Sequence, residues 1–289
     1  MKPDMLADTM ISPDFERRFG GWARLYGAAG AQRIRQAHIV VVGLGGVGSW
    51  AAEAAARSGV ARLTLVDLDH IAESNINRQV HALDNTLGMA KVQAMRERIA
   101  HINPDCTVDC IEEFVDVGNW PAVLGFDPVF EWKTVAVIDA CDQVKAKTAM
   151  AAWAIKSEAR FISVGAAGGK RLAHKVDIED LSLVTHDPLL AQMRNRLRKE
   201  HGAAREKKQM GVACVFSRES VMQSDAVAVV ARGETPDAPQ PGDSPSGFSV
   251  EAQSDATLNC HGYGSVVTVT STFGLCAAGW VLGKIAEFA

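Results

Sequence analysis

Short apolar runs, rich in β-branched residues, alternate along the chain with longer stretches whose apolar positions recur at helical spacing. The runs lie at 39–42, 63–66, 134–140 and 161–164, and a further short strand is predicted at 107–111. The helix-like stretches end near Ser58, Ile102 and Ser157. Runs without polar alternation are typical of parallel strands buried on both faces. The alternation therefore predicts an α/β fold, Rossmann-like and doubly wound, with a mainly parallel sheet.

Two later apolar runs, at 212–216 and 265–270, predict further strands of the same sheet. The second run belongs to a stretch, 264–283, that carries no charge for 20 residues and is long enough to span a bilayer. Five of its first nine residues are serine or threonine, which favours a core strand leading into a buried C-terminal helix. We therefore expect a core element, not a membrane span.

The same patterns divide the chain into regions. Residues 1–14 are expected to form a flexible leader and 15–289 a single domain that begins with one or two short helices. Within it, 38–170 is the predicted nucleotide-binding core and 171–289 the part that binds substrate. Residues 233–255 are rich in Pro, Gly, Ser and Asp, which predicts a mobile loop.

Composition narrows the classes of protein. A net charge of −4 argues against a globally basic nucleic-acid binder, although it allows a local basic patch. The six cysteines form no CxxC pair, which argues against a zinc ribbon and predicts no zinc. With no recognisable signal peptide, we expect free thiols and a cytoplasmic location.

Glycines follow the first predicted strand in a GxGxxG arrangement of Gly43, Gly45 and Gly48, and the second strand ends at Asp67. This unit directs backbone N–H groups and a helix N-terminus at phosphates, and its acidic residue can accept hydrogen bonds from a ribose. Dehydrogenases share the pattern, so it does not by itself distinguish NAD from ATP.

The residues after Asp67 favour ATP. Asn75, Arg78 and Lys91 add an amide and two cations, which a hydride transfer does not require. Arginine and lysine can neutralise the β- and γ-phosphates of a nucleoside triphosphate as pyrophosphate departs. Asp142 follows the 134–140 strand and could hold Mg²⁺, which prefers hard oxygen ligands.

Together these motifs resemble the E1-like (ThiF, MoeB and HesA type) adenylating superfamily. The resemblance rests on GLGGVGS at 43–49, DLD at 67–69, SNINRQ at 74–79, the helical Lys91, and Asp139 with Asp142, and it covers about residues 18–170. It implies an E1-like activating fold with the ATP site at the C-terminal ends of the strands. It also implies catalytic roles for Arg78, Lys91 and Asp142, with Asp142 binding Mg²⁺ through ATP.

The residues that the resemblance assigns to ATP binding are Gly43, Gly45, Gly46, Gly48, Asp67, Asp69, Asn75, Arg78, Lys91 and Asp142. The family often adds an N-terminal arginine from the partner subunit of a homodimer. Here Arg18 or Arg24 could serve, and their spacing does not choose between them.

The second half of the chain indicates the branch of the superfamily. It lacks the two CxxC pairs that the activators of sulfur carriers usually have. RFGGWARLYG at 18–27, GVACVFS at 211–217 and CHGYGSVVTVTSTFG at 260–274 resemble the tRNA threonylcarbamoyladenosine dehydratases. That likeness implies that ATP activates the carboxylate of the N6-threonylcarbamoyl group on tRNA adenosine 37, which then cyclises with net loss of water.

On this interpretation the basic segment 194–208 is a candidate tRNA-binding surface. Seven basic residues there face only two acidic ones, and they could bind phosphates of the anticodon stem-loop. They are Arg194, Arg196, Arg198, Lys199, Arg205, Lys207 and Lys208. The alternative is a solvated helix surface without a partner.

Cys214 and Cys260 are candidates for a thiol role, because other E1-like enzymes form thioester or persulfide links. The alternative for both is a small buried apolar residue. The resemblance leaves open a cysteine desulfurase or sulfur-acceptor partner and a monovalent cation, K⁺ or Na⁺. No DNA partner is expected.

Two other functions compete with tRNA dehydration. The first is adenylation of the C-terminal glycine of a ubiquitin-like sulfur carrier, against which the missing zinc cysteines count. The second is a nucleotide-sensing module or dinucleotide oxidoreductase that keeps the Rossmann half without adenylation. The oxidoreductase form of the second would bind NAD tightly, whereas SNINRQ and Lys91 favour ATP.

Overall fold

The computed structural model describes residues 14–126, 135–205, 208–222 and 263–287. Seven strands of this part of the chain form one sheet. They are β1 (His38–Val42), β2 (Arg62–Val66), β3 (Thr107–Ile111), β4 (Val135–Asp139), β5 (Arg160–Val164), β6 (Val176–Asp180) and β7 (Ala213–Ser217). Their order is β3-β2-β1-β4-β5-β7-β6, and only the β6–β7 pair is antiparallel. The predicted doubly wound, mainly parallel fold is confirmed.

Helices cover both faces of the sheet. They are α1 (Phe15–Phe19), α2 (Trp22–Arg35), α3 (Gly48–Arg57), α4 (Lys91–Ile102), α5 (Val144–Ser157), α6 (Pro188–Glu200) and α7 (Val267–Ala286). A kink divides α2 at Gly27, where φ is +70°. Residues of α3, α4 and α7 share one hydrophobic core, and residues of α5 and α6 share the other. Because both faces are covered, all five residues of β1 and all five of β4 are buried.

The register of the central strands determines where a ligand can bind. Val42 pairs with Val66 on one side and with Asp139 on the other, so β1, β2 and β4 end level. The chain proceeds from β1 to β2 and β3 on one side, then places β4 on the opposite side of β1. Open α/β sheets bind ligands outside the strand ends at such a reversal. The fold therefore brings Gly43 and Asp67 to one crevice.

The predicted strand at 265–270 is wrong. The structure has a helix from Val267 onward, preceded by Val266 in extended conformation. β-Branched residues favour strands, but here two threonine hydroxyls donate to carbonyls within the helix, from Thr270 to Val267 and from Thr272 to Thr268. The resulting helix is long and apolar enough to cross a membrane by length and composition alone, with a mean hydropathy of 1.3. In this structure it packs against α3, α2 and the sheet.

Sequence patterns also missed the antiparallel edge strand β6. Its five residues, VDIED, are all half-buried and pair with β7. Strands β6 and β7 from the second half join strands from the first half in one sheet. The division of the chain into core and substrate-binding parts stays a prediction. The predicted leader (except Asp14), the loop at 233–255, Lys207 and Cys260 lie outside the described residues.

Candidate active site

A cleft of about 390 Å³ lies at the C-terminal ends of β1, β2, β4 and β5. It contains every residue that the sequence assigned to ATP binding within one chain except Gly48. The lining includes Gly43, Gly45, Gly46, Asp67, Asp69, Asn75, Arg78, Lys91 and Asp142. A larger depression of about 680 Å³ beside α4 lies away from these strand ends and the glycine loop. We therefore take the smaller cleft as the candidate active site.

The glycine loop fits tightly against the neighbouring strand end. Gly43 has a φ of +87°, and a Cβ there would lie 2.9 Å from the backbone of Ala140 and Cys141. A Cβ on Gly48 would lie 1.8 Å from the carbonyl oxygen of Gly43. Gly48 therefore allows the loop to turn into α3, and it does not face the cleft. A Cβ on Gly45 would meet no atom of the described part of the chain within 4 Å, so its backbone is open to a ligand.

Asp67 is held as an acceptor at the end of β2. It accepts hydrogen bonds from the backbone N–H groups of Leu44, at 2.5 Å, and Asp69, at 2.9 Å. Burial raises the pKa of the Asp67 carboxyl, although the nearby Lys91 ammonium opposes this effect. A carboxylate fixed by the glycine loop can accept hydrogen bonds from a ribose, as the sequence predicted.

Lys91 begins α4 and is almost completely buried. Its ammonium lies 2.6 Å from the Asp69 carboxylate and 3.9 Å from that of Asp67. The structure therefore brings the predicted phosphate-binding cation next to the two acidic residues of the DLD motif. Its charge is compensated within the chain, which lowers the energy required to bury it.

A short 3₁₀ turn, Glu73–Asn75, lies at the edge of the cleft. Asn75 ends this turn, and Arg78 follows it. The Asn75 side chain is buried and accepts a hydrogen bond from the N–H of Ala72, so it also shapes the turn. Arg78 donates to the carbonyl of Ser74 at 2.8 Å and to the side chain of Asn77 at 3.0 Å. A Cβ on Gly46 would lie 2.9 Å from the Arg78 side chain. The arginine thus lies over the glycine loop, where phosphates would bind.

Asp142 is exposed on the turn between β4 and α5. It does not cap α5, because the N-cap position belongs to Gln143. Among the residues that the structure describes, no group of three or more His, Cys, Asp or Glu side chains could hold a metal ion. One carboxylate beside a phosphate site suits Mg²⁺, which usually keeps several waters and binds one or two carboxylates together with substrate phosphates.

Neither N-terminal arginine reaches the cleft of its own chain. Arg18 donates to the carbonyl of Ile102 at 2.6 Å and lines the depression beside α4. Arg24 is exposed on α2. That one of them reaches the ATP site of a partner subunit stays a prediction.

The basic segment is less uniform than the sequence predicted. The helix ends at Glu200, and Arg194 is half-buried, donating to the carbonyls of Leu181 and Val184. These bonds are internal, so the structure does not support Arg194 as a phosphate ligand. Exposed positive charge comes instead from Lys199, Arg205 and Lys208, while Arg196 pairs with Glu200 and Arg198 donates to Ala204.

Cys214 lies on β7 and is completely buried. Burial raises the pKa of its thiol well above the usual value, although Lys147 opposes this effect. A thiol that is neither exposed nor ionised cannot serve as a nucleophile, so the predicted role of Cys214 is not supported. Burial also raises the thiol pKa of Cys141 and raises that of Cys106 to about 12.

Two buried lysines near the cleft escaped the sequence analysis. Lys147 forms an ion pair with Asp139, and Lys170 donates to the carbonyls of His186, Ser217 and Glu219. The spacing of Lys147 with Met150, Ala151 and Ala154 places it on the buried face of α5. This helical periodicity was the available signal, because a lysine on an apolar face requires a buried partner.

Three comparisons with known proteins identify the family of the chain. A sequence model of the ThiF family matches residues 17–288. The chain is 39% identical over 282 residues to the tRNA threonylcarbamoyladenosine dehydratase of Escherichia coli, covering 96% of each chain. The Haemophilus influenzae enzyme of the same name is 38% identical over 276 residues, covering 94% of each. A crystal structure of the Escherichia coli dehydratase in complex with ATP matches with a TM-score of 0.76 and 36% identity, covering 95% of this chain and 96% of that one.

Proposed function

The chain belongs to the ThiF family, and from that premise we propose that it is an ATP-dependent tRNA threonylcarbamoyladenosine dehydratase. It dehydrates N6-threonylcarbamoyladenosine at position 37 of tRNA, through adenylation of the threonyl carboxylate. The observation that carries this proposal is the similarity to dehydratases over nearly the whole length of both chains, including one whose structure contains ATP.

The cleft residues suit this chemistry. A carboxylate is a poor electrophile because its leaving group would be oxide. Attack of its oxygen on the α-phosphate of ATP releases pyrophosphate and gives an acyl-adenylate, whose leaving group is AMP. The carbamoyl group of the same substrate then attacks the acyl carbon, and enforced proximity accelerates that step. Such a displacement at phosphorus requires positioning and charge neutralisation more than a protein nucleophile.

Within this scheme Asp67 would hold the ribose, and Arg78 and Lys91 would neutralise the phosphates. Asp142 would bind Mg²⁺ together with ATP, and the ion would add positive charge beside the α-phosphate. A monovalent cation stays a prediction with no assigned site.

The tRNA would lie across Lys199, Arg205 and Lys208, with Arg196 and Arg198 nearby. This proposal is supported by their exposure and by the shallow depression that Arg198, Lys199 and Arg205 line beside Asn195. RNA-binding proteins commonly recognise unstacked loop bases, so we infer that the modified nucleotide projects from the anticodon loop into the ATP cleft.

A homodimer and a cytoplasmic location are further proposals. In the dimer, Arg18 or Arg24 would reach the partner subunit's ATP. A cysteine desulfurase or sulfur-acceptor partner would require an accessible thiol. Because Cys214 is buried, Cys260 is the better candidate of the two predicted positions.

The test is to incubate the protein with ATP, Mg²⁺ and tRNA carrying threonylcarbamoyladenosine. We expect the nucleoside to lose the mass of one water, with one pyrophosphate released for each conversion. ATP-independent or absent conversion, together with pyrophosphate release on a carrier protein that ends in Gly-Gly, would contradict the proposal and favour carrier adenylation.

A further inference from the structure

An ion pair lies beneath the floor of the cleft. Lys147 of α5 and Asp139 at the end of β4 are both 0% exposed, and the Lys147 ammonium lies 2.9 Å from the Asp139 carboxylate. Neither residue lines the cleft, and the reaction scheme above assigns neither a role. The pair is nevertheless close to Asp142, because Asp139 opens the turn that ends in Asp142.

The pair is bonded to that turn at several points. Lys147 donates to the carbonyl of Cys141 at 3.0 Å, and Asp139 accepts from the backbone N–H of Cys141 at 3.3 Å. The hydroxyl of Ser163 on β5 donates to the other oxygen of Asp139 at 2.6 Å. The backbone immediately before Asp142 is therefore held by Lys147 of α5 and by the Asp139 side chain. Ser163 of β5 in turn fixes that side chain.

Stability alone does not explain the pair. The free energy needed to remove two charges from water is often larger than the attraction between them inside the protein. Replacing such a pair by apolar residues of similar volume is therefore frequently neutral or stabilising. Burial by itself would lower the pKa of Lys147, yet the adjacent Asp139 carboxylate and other nearby groups raise it above the usual value. The lysine thus stays charged in a fully buried position next to a functional turn.

We propose that Lys147 and Asp139 are positioning residues that hold the turn so that Asp142 faces the α-phosphate and its Mg²⁺. The inference rests on the proposed function for the role of Asp142. The pair itself does not contact the nucleotide. It acts by fixing the backbone of Cys141, and a displacement of about 1 Å at a reacting centre can lower a rate by about 100-fold.

The experiment compares three variants: Lys147→Met, Lys147→Met combined with Asp139→Asn, and Lys145→Met as control. Lys145 lies two residues away on the same helix and is exposed. For each variant, the Kd of ATP is measured with and without Mg²⁺, and kcat and KM are measured for tRNA conversion. Thermal denaturation of each protein reports its stability.

We expect Lys147→Met to abolish the strengthening of ATP binding by Mg²⁺, to raise the KM for ATP accordingly, and to lower kcat at saturating ATP by about 100-fold, with little change in the KM for tRNA. The double variant should recover thermal stability, because no buried charge is left unpaired, but it should not recover kcat. Lys145→Met should behave as the wild type.

Recovery of kcat together with stability in the double variant would show that the pair is only structural, and would overturn the proposal. So would a Mg²⁺ effect on ATP binding in Lys147→Met equal to that in Lys145→Met. The ATP titration requires no tRNA, so its outcome is separate from a failure of the wild type to dehydrate tRNA, which would instead overturn the proposed function.

Discussion

At the scale of single residues, two carboxylates lie beside the ammonium of Lys91 before any phosphate binds in the cleft. Lys91 lies between Asp67 and Asp69, so a nucleotide would add phosphate oxygens to an ammonium that already has carboxylate partners. The Lys91 side chain is almost completely buried, and a hydrogen bond to a charged group contributes about 1.5–3 kcal/mol.

Replacing Lys91 with methionine should therefore weaken ATP binding by about 10- to 100-fold, because the phosphates lose a charged donor. Isothermal titration with ATP and Mg²⁺ measures the change. Lys156→Met, at an exposed position of α5, is the matched control and should retain wild-type affinity. Equal ATP affinities in the two variants would mean that Lys91 only pairs with Asp67 and Asp69 and does not bind the phosphates.

The buried His81 side chain makes the stability of the protein depend on pH. It is 1% exposed, its ring nitrogens have no hydrogen-bond partner among the residues that the structure describes, and burial together with the Lys91 and Arg98 charges lowers its pKa from 6.5 to about 4. Between these values the unfolded chain binds a proton that the folded protein does not. The free energy of unfolding therefore falls as the pH is lowered through this window.

When the pH is lowered from neutral to about 4.5, the free energy of unfolding should fall by about 2 kcal/mol less in His81→Leu than in the wild type. Urea denaturation at both pH values gives this difference. His174 is exposed, so His174→Leu should leave the pH dependence unchanged. The pH effect is wrongly assigned if His81→Leu loses as much stability as the wild type.

At the scale of elements, the C-terminal helix α7 shows how tertiary packing overrides local preference. Its first turns read VTVTST, a strand-like sequence, yet the segment is helical and the helix packs against α3. The contact is close because Gly274 lacks a side chain, and a Cβ there would lie 2.4 Å from the carbonyl of Val47. The glycine therefore brings α7 close to the start of α3, beside the glycine loop.

Gly274→Ala should push α7 away from α3 and destabilise the protein by about 1–3 kcal/mol. Gly279 lies in the same helix, and a methyl group added there would meet none of the residues that the structure describes within 4 Å, so Gly279→Ala should instead stabilise by up to about 1 kcal/mol. Thermal denaturation of the two variants compares the packing effect with helix propensity. Opposite signs support the close approach, and equal stabilisation would contradict it.

The sequence predicted the elements that local patterns define. Strands β1, β2, β4 and β5 follow from apolar runs, and the positions of Gly43, Asp67 and Lys91 in the cleft follow from strand ends and known spacing. It did not predict the Lys147–Asp139 pair, because the burial of a charge depends on contacts between distant segments. The edge strand β6 escaped for a similar reason, since its pairing with β7 joins residues far apart in sequence.

At the scale of the whole molecule, a net charge of −4 must coexist with binding to a polyanion. Local positive charge resolves this conflict, because phosphate contacts and the release of their counterions depend on the nearby surface. Lys199 lies in the last turn of α6, and Arg205 and Lys208 follow the helix. At the other end of α6, Asp187 caps the helix and accepts a hydrogen bond from the backbone N–H of Ala166 at the cleft. The helix thus connects the basic surface with the candidate active site.

Reversing Lys199, Arg205 and Lys208 to glutamate should raise the Kd for tRNA by about tenfold or more and reduce its dependence on salt concentration. ATP affinity should not change. The control reverses three exposed basic residues scattered elsewhere, Arg96, Lys156 and Lys284, and so makes the same change in net charge. Equal loss of tRNA binding in both triple variants would show that only net charge matters.

In the proposed reaction the substrate carboxylate attacks the α-phosphate of ATP. The most direct test of this step uses tRNA whose threonyl carboxylate carries a heavy oxygen isotope, converted by the wild-type protein with ATP and Mg²⁺. Mass spectrometry of the released nucleotide then locates the label. The account predicts one labelled oxygen in AMP and none in pyrophosphate. Label in inorganic phosphate together with ADP would show attack at the γ-phosphate and would contradict it.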